Sequence, residues 1–76
     1  MSGPGRVRFT DHAQRQIARR RLGLDLVEAL VLESHGQRRS NPGRANWRLE
    51  VRGVVVLYDW PSEDAATALV RSAWRR

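Results

Sequence analysis

The chain has 76 residues and no cysteine, which excludes disulfides, thiolate metal sites and cysteine nucleophiles. Its 14 basic residues, all arginine, oppose 8 acidic ones, for a formal net charge of +6. A chain this short forms one domain that buries about 60% of its unfolded surface, and no run of about 18 apolar residues is present to cross a membrane.

Residues 1–5 read as a flexible lead-in ahead of a single domain over 6–76. MSGPGRVRF lacks the apolar core of a signal peptide, so the expected residence is cytoplasmic. Arg6-Val7-Arg8-Phe9 alternates and predicts a short edge strand with Val7 and Phe9 inward. Thr10 is a good N-cap, and Asp11 complements the positive end of a helix dipole. The helix then runs from about Asp11 to Arg20. Ala13, Ile17, Gln16 and Arg20 share one side of it, and His12, Arg15 and Arg19 another. The apolar stripe is thin, so this helix should pack through one edge.

Gly23 suits a left-handed helix end. Asp25 and Glu28 have the spacing of a capping box, and Leu26, Val27, Leu30 and Val31 form a strong stripe over a second helix to Glu33. Asn41-Pro42-Gly43 signals a turn, with a short strand near Gln37–Arg39 before it.

Trp47, Leu49 and Val51 alternate with Arg48, Glu50 and Arg52, giving a strand with one apolar and one charged face. Arg52-Gly53 supplies a hairpin turn, and Val54 to Tyr58 runs apolar, as in a central strand. Pro61 to Asp64 turns the chain again, and Thr67 to Trp74 reads as the last strand. The strands after residue 44 are joined by short turns and should be antiparallel. The predicted fold is α+β, with two N-terminal helices packed on one face of a mainly antiparallel sheet of three to five strands.

The run FTDHAQRQIARRRLGLDLVEALV resembles the opening of the RelE/ParE toxin-like superfamily, and in particular a small branch described as a domain of unknown function. Phe9, His12, Ala13, Arg20, Leu22 and Val27 stand at the places of that pattern. Gly43-Arg44, Trp47, Gly53 and Val54 to Val56 match its later part, so the likeness spans roughly residues 7 to 75. Gln16 departs from it, standing where the branch often has arginine, and Ser72 stands near a place usually held by threonine. The resemblance implies a RelE/ParE-like fold in a toxin–antitoxin system. Better-known members cleave messenger RNA on the ribosome or poison DNA gyrase, and an antitoxin protein neutralises them. Activity varies between branches of one fold.

RNA cleavage by its own 2′-hydroxyl needs proton transfer and cations around the charged phosphorane. The superfamily's nucleases use basic residues on the later strands, which points to Arg48 and Arg71 as catalytic candidates, with His12 as general acid or base. Arg15, Arg19, Arg44, Arg52 and Arg75 are the candidate nucleic-acid contacts, because a guanidinium fork fits phosphate bidentately. The plainer reading is a solvated strand face with cross-strand pairs for Arg48, Glu50 and Arg52. Tyr58 reads as packing, His35 as incidental to a polar loop, and Trp47, Trp60 and Trp74 as core, interface or stacking platforms. Two histidines far apart without cysteine point to no metal, and no cofactor is expected. Two functions stay open: an RNA-binding, toxin-type endoribonuclease independent of metal, or a silent relative that binds nucleic acid or an antitoxin-like protein. Both expect guanidinium groups bare on the sheet face away from the helices.

Overall fold

A computed structural model describes residues 3–43 and 45–76. The architecture is α+β, with helices packed against a five-stranded sheet. The strands are β1 (Arg6–Phe9), β2 (Arg39–Ser40), β3 (Trp47–Val51), β4 (Val54–Asp59) and β5 (Thr67–Arg75), and the helices are α1 (Asp11–Arg19) and α2 (Leu24–Ser34). Their order across the sheet is β1-β5-β4-β3-β2, antiparallel except that β1 runs parallel to β5.

Thr10 caps α1 as its side chain predicts, accepting from the Ala13 N–H at 3.0 Å. The end of α1 differs from expectation. Arg21, not Gly23, takes the left-handed conformation, at φ 57°. Its N–H donates to Ala18 O, and the Leu22 N–H reaches back to Ile17 O, the bond pattern of a Schellman ending. Leu22 is thereby turned into the core, while Gly23 (φ 83°) becomes the N-cap of α2. That helix starts at Leu24, two residues early for a capping box led by Asp25, and Asp25 makes no capping bond.

The hairpin forms as the alternation dictates. Trp47 faces Tyr58, Leu49 faces Val56 and Val51 faces Val54 on the helix side, with Arg48, Glu50, Val55 and Leu57 on the other. Arg52 and Gly53 both take positive φ, 55° and 78°, the turn geometry whose twist matches a two-residue hairpin. Leu49, Val54, Val56, Tyr58, Val70 and Ala73 pack with Ala13, Ile17, Val27 and Val31 in one buried cluster. Each large apolar side chain so buried contributes about 1.5–3 kcal/mol. Among the described residues, no helix is long and apolar enough to cross a membrane.

Two features set up the surface described next. The β4–β5 register slips by one, from Leu57 opposite Ser72 to Tyr58 opposite Val70, so Arg71 has no residue across from it. Such a bulge brings consecutive side chains toward the same side. The second feature is that β1 ends at Phe9, opposite Val70, leaving the β1 side of β5 without a strand neighbour beyond that point. There α1 covers the edge. Gln16 Oε1 accepts from the Ala73 N–H at 2.9 Å and the Ser72 hydroxyl at 2.7 Å, and Arg20 donates to Ala73 O at 3.2 Å. Two side chains one helical turn apart thus stand in for a missing strand.

Candidate nucleic-acid interface

The α1–β5 seam opens to solvent as two clefts. The first, of about 460 Å³, has His12 and Thr10 on one wall, Arg71, Ser72 and Leu57 on the floor, and Asn41, Gly43 and Ala45 opposite. The second, of about 610 Å³, is lined by Gln16, Arg20, Ser72, Trp74 and Arg75. Ser72 lines both, so the two adjoin there and together form a trough along the seam. His12, Gln16 and Arg20 recur every four residues and form its helical wall. The bulge supplies the floor by bringing Arg71 and Ser72 to it together.

Several expected contacts meet here. His12 is exposed in the first turn of α1, Arg71 lies on the floor, and Arg75 flanks Trp74 at the far end. Arg15 and Arg19 are exposed on α1 but line neither cleft. Arg52 is exposed in the hairpin turn, away from both. Arg48 sits across the sheet from Leu57 and does not line the trough. Arg44 lies outside the described residues.

The expected bare arginine face is not what the sheet presents. Arg48 Nη1 donates to Glu50 Oε1 at 3.1 Å, and Arg76 binds the other oxygen of the same carboxylate. These partners, Arg76 first, hold the Glu50 carboxyl below the usual carboxylate range. Trp74 stands opposite Val55, and Val55 is fully covered. Arg71 is also paired, its Nε lying 2.5 Å from Asp59 Oδ2. Among the described residues, arginines without an ion pair lie on α1 and its exit and also at Arg38, Arg39, Arg52 and Arg75. Arg15, Arg19 and Arg21 make no ion pair among the described residues, whereas α2 carries Asp25, Glu28 and Glu33 and no basic residue.

Arg20, Gln16, Ser72 and Trp74 were not among the sequence-derived site residues. The sequence reading puts Gln16 and Arg20 on one side of α1 and His12 on another, and the free β5 edge that Gln16 and Arg20 cover is not legible in it.

Tyr58 packs in the core as expected, fully buried, and burial pushes its phenol up to about 12. His35 overturns its reading as an incidental loop residue. Its ring is buried, with Nδ1 2.9 Å from the Tyr58 hydroxyl and an edge set against Trp60 at 4.6 Å. Trp47 and Trp60 are structural, their indole N–H groups donating to Trp60 O and Ala65 O. Among the described residues, no group of three or more His, Asp or Glu side chains is placed to hold a metal ion. No family model matches the chain, and no curated protein or solved structure matches it.

Proposed function

We propose that the protein is an RNA-binding, RelE/ParE-like toxin-type domain whose ligand lies in the trough between α1 and the end of β5. The observation that carries this reading is the meeting of the two clefts at Ser72, which lines up His12, Arg71, Arg20, Arg75 and Trp74 in one channel. Guanidinium groups at intervals suit successive phosphates, and a half-exposed indole beside them suits an unstacked base.

The same channel supports strand cleavage as its chemistry. His12 is the proton-transfer group for the 2′-hydroxyl, and Arg71 is the cation nearest a phosphate held over Ser72. Arg20 and Arg75 then position the flanking backbone, and the reaction needs no metal. A messenger RNA, free or ribosome-bound, is the substrate this predicts.

One observation favours a second reading, in which the protein binds RNA or an antitoxin-like protein without cutting. Arg48 and Arg71, two of the three catalytic candidates, are both held by carboxylates.

A single set of measurements separates these readings. A labelled RNA oligomer is incubated with the protein, with and without ribosomes, alongside His12→Ala, Arg71→Ala and Arg48→Ala. Cleavage lost in His12→Ala and Arg71→Ala supports the nuclease. Binding without cleavage supports the silent relative. For RNA contact through phosphates, the log–log salt slope is about −0.7 per phosphate neutralised, and Arg20→Ala and Arg75→Ala flatten it. No salt-dependent RNA binding would refute the trough as an RNA site and leave a protein partner.

A further inference from the structure

The outer side of α2 is both apolar and acidic. Leu24, Leu26 and Leu32 are the exposed large hydrophobic side chains among the described residues, at 40%, 37% and 39%, and all three lie on this one helix. Leu26, Ala29 and Leu32 follow at three-residue steps and form a ridge along its solvent side, while Val27, Leu30 and Val31 face the core.

Asp25, Glu28 and Glu33 flank that ridge, and none of them forms an ion pair among the described residues. The contrast with the rest of the fold is sharp. Glu50, Asp59, Glu63 and Asp64, on the sheet and its loops, each bind an arginine. Unpaired carboxylates beside exposed leucine suit a partner surface that is basic and offers aliphatic contact.

The chain itself carries such a surface. On α1 the core side is Ala13 and Ile17, and Arg15, Ala18 and Arg19 are exposed away from it. Arg15 and Arg19 make no ion pair among the described residues and line neither cleft of the trough. The ridges Asp11–Arg15–Arg19 and Gln14–Ala18 run at four-residue steps with a groove between them. A three-residue ridge packs into such a groove at a crossing angle of about 20°. Ala18 allows close approach there, and the arginine stems can cover leucine while their guanidinium groups reach the acids.

Both helices pack into one core cluster on the same side of the sheet, so their outer faces look away from it together and cannot meet within one chain. Between two copies they can. We propose that the protein dimerises helix layer to helix layer about a two-fold axis, with α2 of each copy seated on α1 of the other. Each contact then occurs twice and the assembly closes at two copies. Pairing α2 with α2 would instead set like charges together. The proposal uses no residue that lines the trough and stands apart from the RNA reading.

The test is sedimentation equilibrium of the whole chain over a wide concentration range, in about 0.15 M salt, where the net charge is screened beyond about 8 Å but contact pairs are not. The mass should climb from 8.7 kDa to twice that value and stop. Arg15→Glu combined with Arg19→Glu should weaken the dimer by about tenfold or more. That pair lowers the net charge of each copy, so general repulsion alone would make it associate more strongly. Asp25→Arg combined with Glu28→Arg should weaken the dimer as much, and the chain carrying all four changes should dimerise again. Leu26→Gln with Leu32→Gln should be monomeric. The proposal is overturned if the wild type stays monomeric up to about 1 mM, if its mass grows past the dimer, or if the folded fourfold variant is no tighter than either double one. The wild-type series decides the matter even if a variant does not fold.

Discussion

Gln16 is the pivot of the α1–β5 seam, and replacing it measures how the trough is built. Its single carboxamide oxygen takes two donors, the Ala73 N–H and the Ser72 hydroxyl, at 2.9 and 2.7 Å. Ala73 is fully buried, so Gln16→Ala would strand a backbone N–H away from water as well as remove two bonds. Two bonds at about 1 kcal/mol each, plus part of the cost of an unpaired buried donor, give a loss of about 2–3 kcal/mol. The better helix propensity of alanine returns only a few tenths of that. In a domain of this size each kcal/mol moves Tm by about 4–8 °C, so thermal unfolding should shift down by about 10–20 °C. Gln16→Glu keeps the acceptor and should be spared. Gln16→Arg, the residue the resembled branch often carries, has no acceptor and should lose as much as alanine. Gln14→Ala, on the exposed side of the same helix, loses only a solvent-exposed bond to Phe9 O at 3.4 Å and is the control. Urea and thermal melts read all four, and a Gln16→Ala cost below about 0.5 kcal/mol would refute the edge-capping account.

Three further outcomes follow from the buried cluster and the hairpin. Burial, and then the Arg38 guanidinium, lower the pKa of His35 below its ordinary 6.5. The unfolded chain therefore takes up that proton first, so stability is full above about pH 6.5 and declines as pH falls below it. Urea midpoints from pH 8 to pH 5 should show this and His35→Gln should flatten it; an unchanged midpoint in the wild type counts against a buried neutral ring. Tyr58 is the chain's one tyrosine, and with its phenol pushed up to about 12 the folded protein should show no phenolate absorbance just above the ordinary tyrosine value of about 10. Phenolate absorbance there without loss of the tryptophan signal would contradict the burial. Arg52 holds φ 55° in the hairpin turn, where asparagine is at ease. Arg52→Asn should gain about 0.5–1 kcal/mol in a chemical melt, and a loss would argue against the turn geometry.

Much of this fold is written locally. The alternation of Trp47 to Val51, the unbroken apolar run of β4, the Thr10 cap and the stripe on α2 each depend on residues a few places apart. A short window therefore contains the whole signal. What stayed hidden depends on distant partners. The pairing of Arg6 with Thr67 has no counterpart in either segment's own pattern. The bulge at Arg71 breaks the alternation that a strand reading assumes, and this is why the register of β5 could not be read in advance. His35 looked incidental because its neighbours are polar, yet the hydroxyl that defines it sits 23 residues away on Tyr58. The bare arginine face failed for a different reason. Period-two patterning correctly put Arg48 and Glu50 on one face, but it says nothing about whether they neutralise each other, and here they do.

A like neutralisation bears directly on the trough, because a phosphate there competes with Asp59 for the charge of Arg71. The pair is partly exposed, with side-chain accessibilities of 44% and 17%. Partly exposed ion pairs of this kind contribute at most about 1 kcal/mol, which a phosphate with its own charge can replace. If RNA occupies the channel as proposed, Asp59 is the counter-ion it displaces, and that exchange sets its affinity. Asp59→Asn separates the two roles of that residue, since its Oδ1 still accepts the Asn46 N–H at 2.9 Å while the charge opposite Arg71 is gone. RNA affinity should rise, and the salt slope should steepen by about 0.7 if one more phosphate is engaged. Asp25→Asn on the acidic helix α2 makes the same change in net charge away from the trough. Equal tightening by the two substitutions would mean that only overall charge matters, and the assignment of RNA to the α1–β5 channel would fail.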